Sequence, residues 1–401
     1  MTAEPSTRQW LTRNVKVLSA VSLMQDAASE MLYPVLPILL TTVLGAPASV
    51  VGIIEGVAEG VAALLKYISG RVSDRVGRKP AVATGYGLAA VGKVIIAAAA
   101  VWPVVLLGRV VDRIGKGIRG APRDALLAEG VPNQAMGRVF GFHRAADTLG
   151  AVIGPLVGLV VLALANGNIQ IALWIAVIPA VISVLLVTLV TEKRRRPQES
   201  VIGEADHPER TAPAPKPALP PRVRVVAGLL ALIALVNFPD ALLLLRLNEI
   251  GFSTMAVVAT YAAFNLANAM IAFPAGMLAD RWPRARVYAI GLVCFAIGYL
   301  GLGLVDSGAM VVPLLLIYGG FAGITDGVGK AWISGLAPPQ VRGHAQGLLQ
   351  GLSGGAILIA GLWAGLAWES GQGSGHIPLL VSGIITAAAA VCLFAVGNRL
   401  E

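Results

Sequence analysis

Charge is scarce in this chain. Asp, Glu, Lys and Arg make up 13% of its 401 residues, about half the share of an ordinary soluble domain. So thin a charged coat around so apolar a chain excludes a soluble globular protein. Cysteine is nearly absent: Cys294 and Cys392 both lie in apolar runs, which excludes a disulfide framework and a paired-thiolate metal site. Only four histidines occur, with no His-rich tract, so soft ligands for a transition metal are few. No nucleophile–base motif stands out, and the one glycine-rich stretch, Gly115-Lys116-Gly117-Ile118-Arg119, lacks a strand–turn–helix context. The chain therefore does not read as an enzyme, and no cofactor is expected.

What abounds is apolar. The hydrophobic share is 56% and the mean hydropathy +0.76. Runs of about 20 apolar residues, the length that spans a bilayer, recur near 17–42, 47–69, 81–100, 103–126, 139–163, 170–191, 224–246, 254–275, 286–305, 310–333, 343–367 and 376–397. The predicted fold is all-α, with twelve transmembrane helices and no removed signal peptide. The run is broken once, by Lys193-Arg194-Arg195-Arg196 and a Pro-rich piece ending at Pro221, a composition that forms a flexible linker rather than a core. The expected organisation is an N-terminal six-helix bundle over 1–191, a linker over 192–222 and a C-terminal six-helix bundle over 223–401.

The net charge of +9 does not call for nucleic acid, because the basic residues punctuate apolar runs. Arg71, Arg75, Arg78, Lys79, Arg138, the 193–196 cluster, Arg281, Arg284, Arg286 and Arg342 fall on one side. The opposite loops near 43–49, 101–103 and 164–170 carry no Lys or Arg. Both termini and the linker are thereby predicted to be cytoplasmic.

The halves echo each other. Gly70-x-x-x-Asp74-Arg75 recurs as Gly276-x-x-x-Asp280-Arg281, and the same shift of 206 carries Pro132 to Pro338 and Gly141 to Gly347. Duplicated halves about a central site are a common transporter plan.

The stretch Leu106 to Glu129 concentrates the charge. Arg109, Asp112, Arg113 and Lys116 stand at i, i+3, i+4 and i+7, one face of a helix. At roughly 2.5–3.5 kcal/mol each in the bilayer centre, four such groups cost about 10–14 kcal/mol, against about 0.3–0.6 returned per Leu, Ile or Val. The row must face a wet passage or carboxylates on neighbouring helices.

Two motifs carry a resemblance. Gly70-Arg-Val-Ser-Asp74-Arg75-Val-Gly77-Arg78-Lys79 matches the signature between helices two and three of the major facilitator superfamily. Gly141-x8-Gly150-x3-Gly154-Pro155-x2-Gly158 matches the helix-five motif of that superfamily's antiporters, which exchange substrate for protons. Arg109 lies where these exporters place a functional arginine, although Asp112-Arg113 departs from their pattern. Asp26-x-x-Ser29-Glu30 with Gly115-Lys116-Gly117-x-Arg119-x-x-Pro122-Arg123-Asp124 resembles a prokaryotic subgroup. The resemblance implies two pseudo-symmetric bundles in a bacterial or archaeal cytoplasmic membrane, probing a small-molecule substrate from within the lipid bilayer as a monomer. It implies proton-coupled efflux, multidrug in type, by alternating access, powered by a proton gradient. Gly70, Asp74, Arg75, Arg78, Gly150, Gly154 and Pro155 become the gating elements.

Three carboxylates are candidates for proton or cation coupling: Asp26 and Glu30, i and i+4 on the first run, and Asp147, i+4 from His143 on the fifth. Candidates for the substrate cavity are Arg109, Asp112, Arg113, Lys116, His143, Arg144, Asn237 and Asp240. Asp240 has no partner within its own helix, whereas Asp326 and Lys330 can neutralise each other at i, i+4. Glu55 and Glu59 form a further acidic pair, and Trp332 is expected at the membrane interface. Alternatives are export of a transition metal such as nickel or iron, with Asp26, Glu30 and His143 as ligands, or uptake or facilitated diffusion of a small solute. A non-transporting receptor is disfavoured because no extra soluble domain is present.

Overall fold

The computed structural model describes residues 10–129, 131, 136–192, 218–279, 281–338, 341–371 and 373–400. Everything regular among them is helical. The N-terminal half contains α1 (Arg13–Leu32), α2 (Leu36–Ile38), α3 (Ala48–Val76), α4 (Arg78–Ala97), α5 (Trp102–Ala128), α6 (Met136–Leu164) and α7 (Ile169–Val187). The C-terminal half contains α8 (Pro221–Ala234), α9 (Asp240–Glu249), α10 (Thr254–Ala279), α11 (Arg284–Leu304), α12 (Gly308–Leu336), α13 (Arg342–Leu366) and α14 (His376–Val396).

Nine of the described helices are long and apolar enough to cross a membrane: α3, α4, α6, α7, and α10 to α14. Those that fall short explain themselves. Helices α1 and α5 each carry several charged side chains, and the seventh apolar run is split into α8 and α9 at Asn237-Phe238-Pro239. The first run is split too, because Pro34 and Pro37 break the ladder after α1 and leave a 3₁₀ turn at Tyr33–Val35 and a π turn at Leu39–Val43. Under the 206 shift, Pro34 falls on Asp240, so the two breaks occupy equivalent places.

Packing follows the duplicated pattern. In the first half α1 lies against α6 and α7, α4 against α5 and α7, and α3 against α5; in the second α12 lies against α10 and α11, α11 against α14, and α8 against α13. The halves meet along α3 and α13, α6 and α10, and α2 and α9. Helix α6 shows how sequence sets a face. Leu149, Leu156, Val160 and Leu164 form its exposed apolar stripe, placed to meet acyl chains. Gly150 and Gly154 form the other face, where a methyl group added at Gly154 would lie 2.5 Å from the Ala27 carbonyl oxygen and one at Gly150 2.6 Å from that of Leu23. The two backbones touch because no Cβ intervenes. That contact fixes the depth and rotation of α1, and hence of Asp26 and Glu30.

The other close approach joins the halves. Gly52 and Gly56 on α3 face Gly361 and Gly365 on α13, with Gly361 Cα 3.6 Å from a Cβ built at Gly56. At the opposite end of α3, Gly77 takes φ +99°, a left-handed value that suits glycine. The Glu192 carboxylate accepts from the Arg78 and Lys79 N–H groups, both at 2.9 Å, and so caps α4. Gly70, Asp74 and Arg75 belong to the last turns of α3, and their side chains lie outside the described residues.

Candidate functional site: a cavity between the halves and the ion pairs behind it

The α5 row turns inward to partners. Arg109, 2% exposed, makes a bidentate pair with Glu55 of α3, Nε to Oε1 at 2.8 Å and Nη2 to Oε2 at 2.5 Å. Asp112 accepts from Lys93 of α4 at 2.8 Å and lies 3.9 Å from Arg109. Arg113 pairs with Glu59 at 3.4 Å. Arg119 lies over the Tyr86 ring, 4.4 Å from its centroid, and Arg123 pairs with Asp124 at 3.0 Å and donates to Ser22 at 3.2 Å. Paired geometry of this kind lets charges tolerate a low-dielectric setting. The carboxylate that meets Arg109 is Glu55, rather than Asp26, Glu30 or Asp147. Lys93, a solitary lysine in an apolar run, was the sequence signal for the partner of Asp112.

Asp26 makes no hydrogen bond or ion pair among the described residues; its electrostatic neighbours are Asp147, Arg119, Lys116 and Glu30. Lys116 makes no ion pair within 4 Å either, and stands near Arg113, Glu59 and Asp26. Asp147 Oδ1 is 3.7 Å from His143 Nε2, while His143 Nδ1 is 3.5 Å from Ser19 Oγ. No group of three or more His, Cys, Asp or Glu that could hold a metal ion occurs among the described residues. Asp26, Glu30 and His143 therefore do not assemble into the divalent-metal site that the alternative required.

A cavity of about 660 Å³ lies between the halves, within the ordinary range for small-molecule sites. Of the sequence candidates its walls include Arg144, Asn237 and Asp240, joined by Glu59, Asp326 and Lys330. Arg109, Asp112, Arg113, Lys116 and His143 stand outside those walls, Arg113 one ion pair away through Glu59. The cavity is built mainly by the C-terminal half. Asp240, at the start of α9, accepts from the Tyr318 hydroxyl at 2.7 Å, and the same hydroxyl is 3.2 Å from Asn237 Oδ1. Farther along α12, Asp326 meets Lys330 at 2.7 Å and, across the halves, Arg144 at 3.4 Å. Trp332 is 1% exposed and packs near Tyr288 at 6.4 Å, so it is a core residue and not an interfacial anchor.

Beside Asp240, at the end of the cavity away from Lys330, the two helix breaks meet. The Tyr33 hydroxyl accepts from the Ala241 N–H at 3.1 Å, its ring lies 5.5 Å from that of Tyr261, and the Tyr261 hydroxyl donates to Glu30 Oε2 at 2.5 Å. The Arg109 guanidinium sits 5.7 Å from the Tyr33 ring centroid.

Two duplicated helical halves enclosing a polar cavity within an apolar belt define a membrane transporter. The chain belongs to the Major Facilitator Superfamily, whose family model matches residues 18–267 and 226–400. An MFS-type transporter of Methanocaldococcus jannaschii is 30% identical over 366 residues, 90% of this chain and 89% of that one. A class G tetracycline resistance protein of Vibrio anguillarum is 28% identical over 331 residues, 80% of each. Among solved structures, a POT family transporter in complex with 5-aminolevulinic acid superposes with a TM-score of 0.77 at 13% identity, covering 97% of each chain.

Proposed function

We propose that this protein exports a small organic molecule in exchange for protons, by exposing its central cavity alternately to the two sides of a prokaryotic cytoplasmic membrane. The observation that carries the reading is the hydrogen bond from Tyr261 to Glu30: a titratable group is part of the contact that must open. Glu30, with Asp26 one turn earlier and Asp147 beside it on α6, forms the coupling set. Protonation of Glu30 removes the negative acceptor that holds Tyr261, weakening the seal; deprotonation restores it. The Gly150–Gly154 contact with α1 transmits a movement of α6 to these acids.

On the orientation given by the lysines and arginines, the seal lies at the outer end and Arg144, Asp326 and Lys330 at the cytoplasmic mouth. A cavity reached from inside suits loading for export, and tetracycline resistance in a relative similar over most of its length agrees with that direction. The test is flux in proteoliposomes with an imposed proton gradient, using tetracycline and ethidium as probes. Gradient-driven counterflow, abolished by Glu30→Gln, is expected. Saturable flux indifferent to the gradient would identify facilitated diffusion and overturn proton coupling.

A further inference from the structure

We infer that the end of the cavity beside the two helix breaks is a seat for an organic cation, with its ammonium or equivalent charge on the Asp240 carboxylate and its apolar part against the Tyr318 and Phe321 rings. The inference rests on the transport reading and names its substrate class.

Asp240 has no cation of its own. Among the described residues its hydrogen bond comes from the Tyr318 hydroxyl at 2.7 Å, and no Lys, Arg or His forms an ion pair with it. Glu59, itself paired with Arg113, lines the same cavity. The cations that could have served are engaged elsewhere: Arg113 with Glu59 at 3.4 Å, Arg144 with Asp326 at 3.4 Å, Lys330 with Asp326 at 2.7 Å. A carboxylate on a cavity wall with a tyrosine hydroxyl but no ion-pair partner gains most from a positive guest.

The walls choose the kind of guest. A bare metal ion would need several oxygen or nitrogen ligands converging, and no such group of His, Cys, Asp and Glu occurs among the described residues. Around Asp240 the cavity instead presents Tyr318 and Phe321, with the amides of Asn237 and Asn268. Tyr318 and Phe321 stack at 5.7 Å and 22°, a continuous aromatic surface for a cation's apolar groups. Tyr318 to Lys330 is about 18 Å along α12 at 1.5 Å per residue, and both line the cavity. The space accepts a drug-sized molecule.

Equilibrium dialysis of the full protein in nanodiscs, with empty nanodiscs subtracted, tests this using tetraphenylphosphonium and its neutral analogue triphenylphosphine oxide. Saturable binding of the cation is expected, at least tenfold tighter than the neutral compound. Asp240→Asn should weaken cation binding at least tenfold and leave the neutral compound unchanged. Asp240→Glu and Tyr318→Phe, which keep the carboxylate and the ring, should retain it within about threefold. No saturable cation binding to the unaltered protein, equal affinity for the two compounds, or equal cation affinity in folded Asp240→Asn would each overturn the assignment. If Asp240→Asn is not monodisperse, the cation-to-neutral ratio on the unaltered protein decides. A protein that moves neutral solutes but does not discriminate for the cation loses this site alone. One that binds the cation at Asp240 yet never moves any solute keeps the site and loses the transport reading.

Discussion

Tyr261 of α10 and Glu30 of α1 are separated by 231 positions in the chain and by 2.5 Å in space. Each comes from a different half, and the tyrosine is also held by its ring, stacked on Phe264 at 5.9 Å. A bond of that kind ties the halves with one proton.

Tyr261→Phe keeps the ring and deletes the proton donor. A hydrogen bond to a charged group contributes about 1.5–3 kcal/mol, so the sealed state should lose population. A cysteine introduced at position 241, which keeps the backbone N–H bonded to Tyr33, should be labelled faster by a water-soluble maleimide in Tyr261→Phe. An unchanged labelling rate would show that the seal is held by packing alone.

The Arg109–Glu55 pair is expected to matter for stability first. Glu55→Gln leaves a buried guanidinium short of its counter-charge, a change that costs about 3–5 kcal/mol when the pair is fully enclosed. Thermal unfolding of purified Glu55→Gln should drop well below that of the unaltered protein, and Glu55→Leu combined with Arg109→Met should recover most of the loss. If the double variant is stable yet inactive in transport, Arg109 has a role beyond architecture.

Gly154→Ala should be damaging out of proportion to its size, since the new methyl group meets the Ala27 carbonyl oxygen at 2.5 Å and Met31 N at 3.0 Å. Overpacking of this sort costs about 1–3 kcal/mol and shifts α1 with its acids. Gly228→Ala, where nothing stands within 4 Å, is the control and should be neutral. Both are read by melting temperature and by proton-driven flux.

Glu192→Ala removes the carboxylate that caps α4 through the Arg78 and Lys79 N–H groups. Loss of a helix cap costs about 1 kcal/mol, so a modest fall in melting temperature is the expected result. Glu192→Gln, which keeps an acceptor, should fall less.

The sequence made the helical, duplicated, membrane-embedded plan readable because bilayer physics writes it in long apolar runs and one-sided cations. The first and seventh runs, which read as unbroken spans over 17–42 and 224–246, are each interrupted in the structure. The charges in α1 and α5 and the prolines at 34, 37 and 239 keep those segments from passing as simple spans. Pairings within a helix could be read from spacing, as Asp326 with Lys330 shows. Pairings between helices could not: nothing in local periodicity joins Arg109 to Glu55 or Lys93 to Asp112, because those meetings depend on helix rotation set by glycine contacts. For the same reason periodicity leaves the α5 row free to face a wet passage or neighbouring carboxylates, and only the fold turns it to Glu55 while Lys93 meets Asp112. Asp240 stood out early as an acid without a helical partner, but its tyrosine neighbour emerges only from the fold.

The interruptions of the first and seventh apolar runs touch each other through Tyr33 and Ala241. Each is a short elbow where the regular ladder of backbone bonds is missing, so bending there costs less than bending anywhere along the neighbouring rods. The protein consequently has a pair of touching elbows, one from each half. Any change in how the two halves meet must therefore pass through a contact between two pliable elbows rather than between two stiff rods.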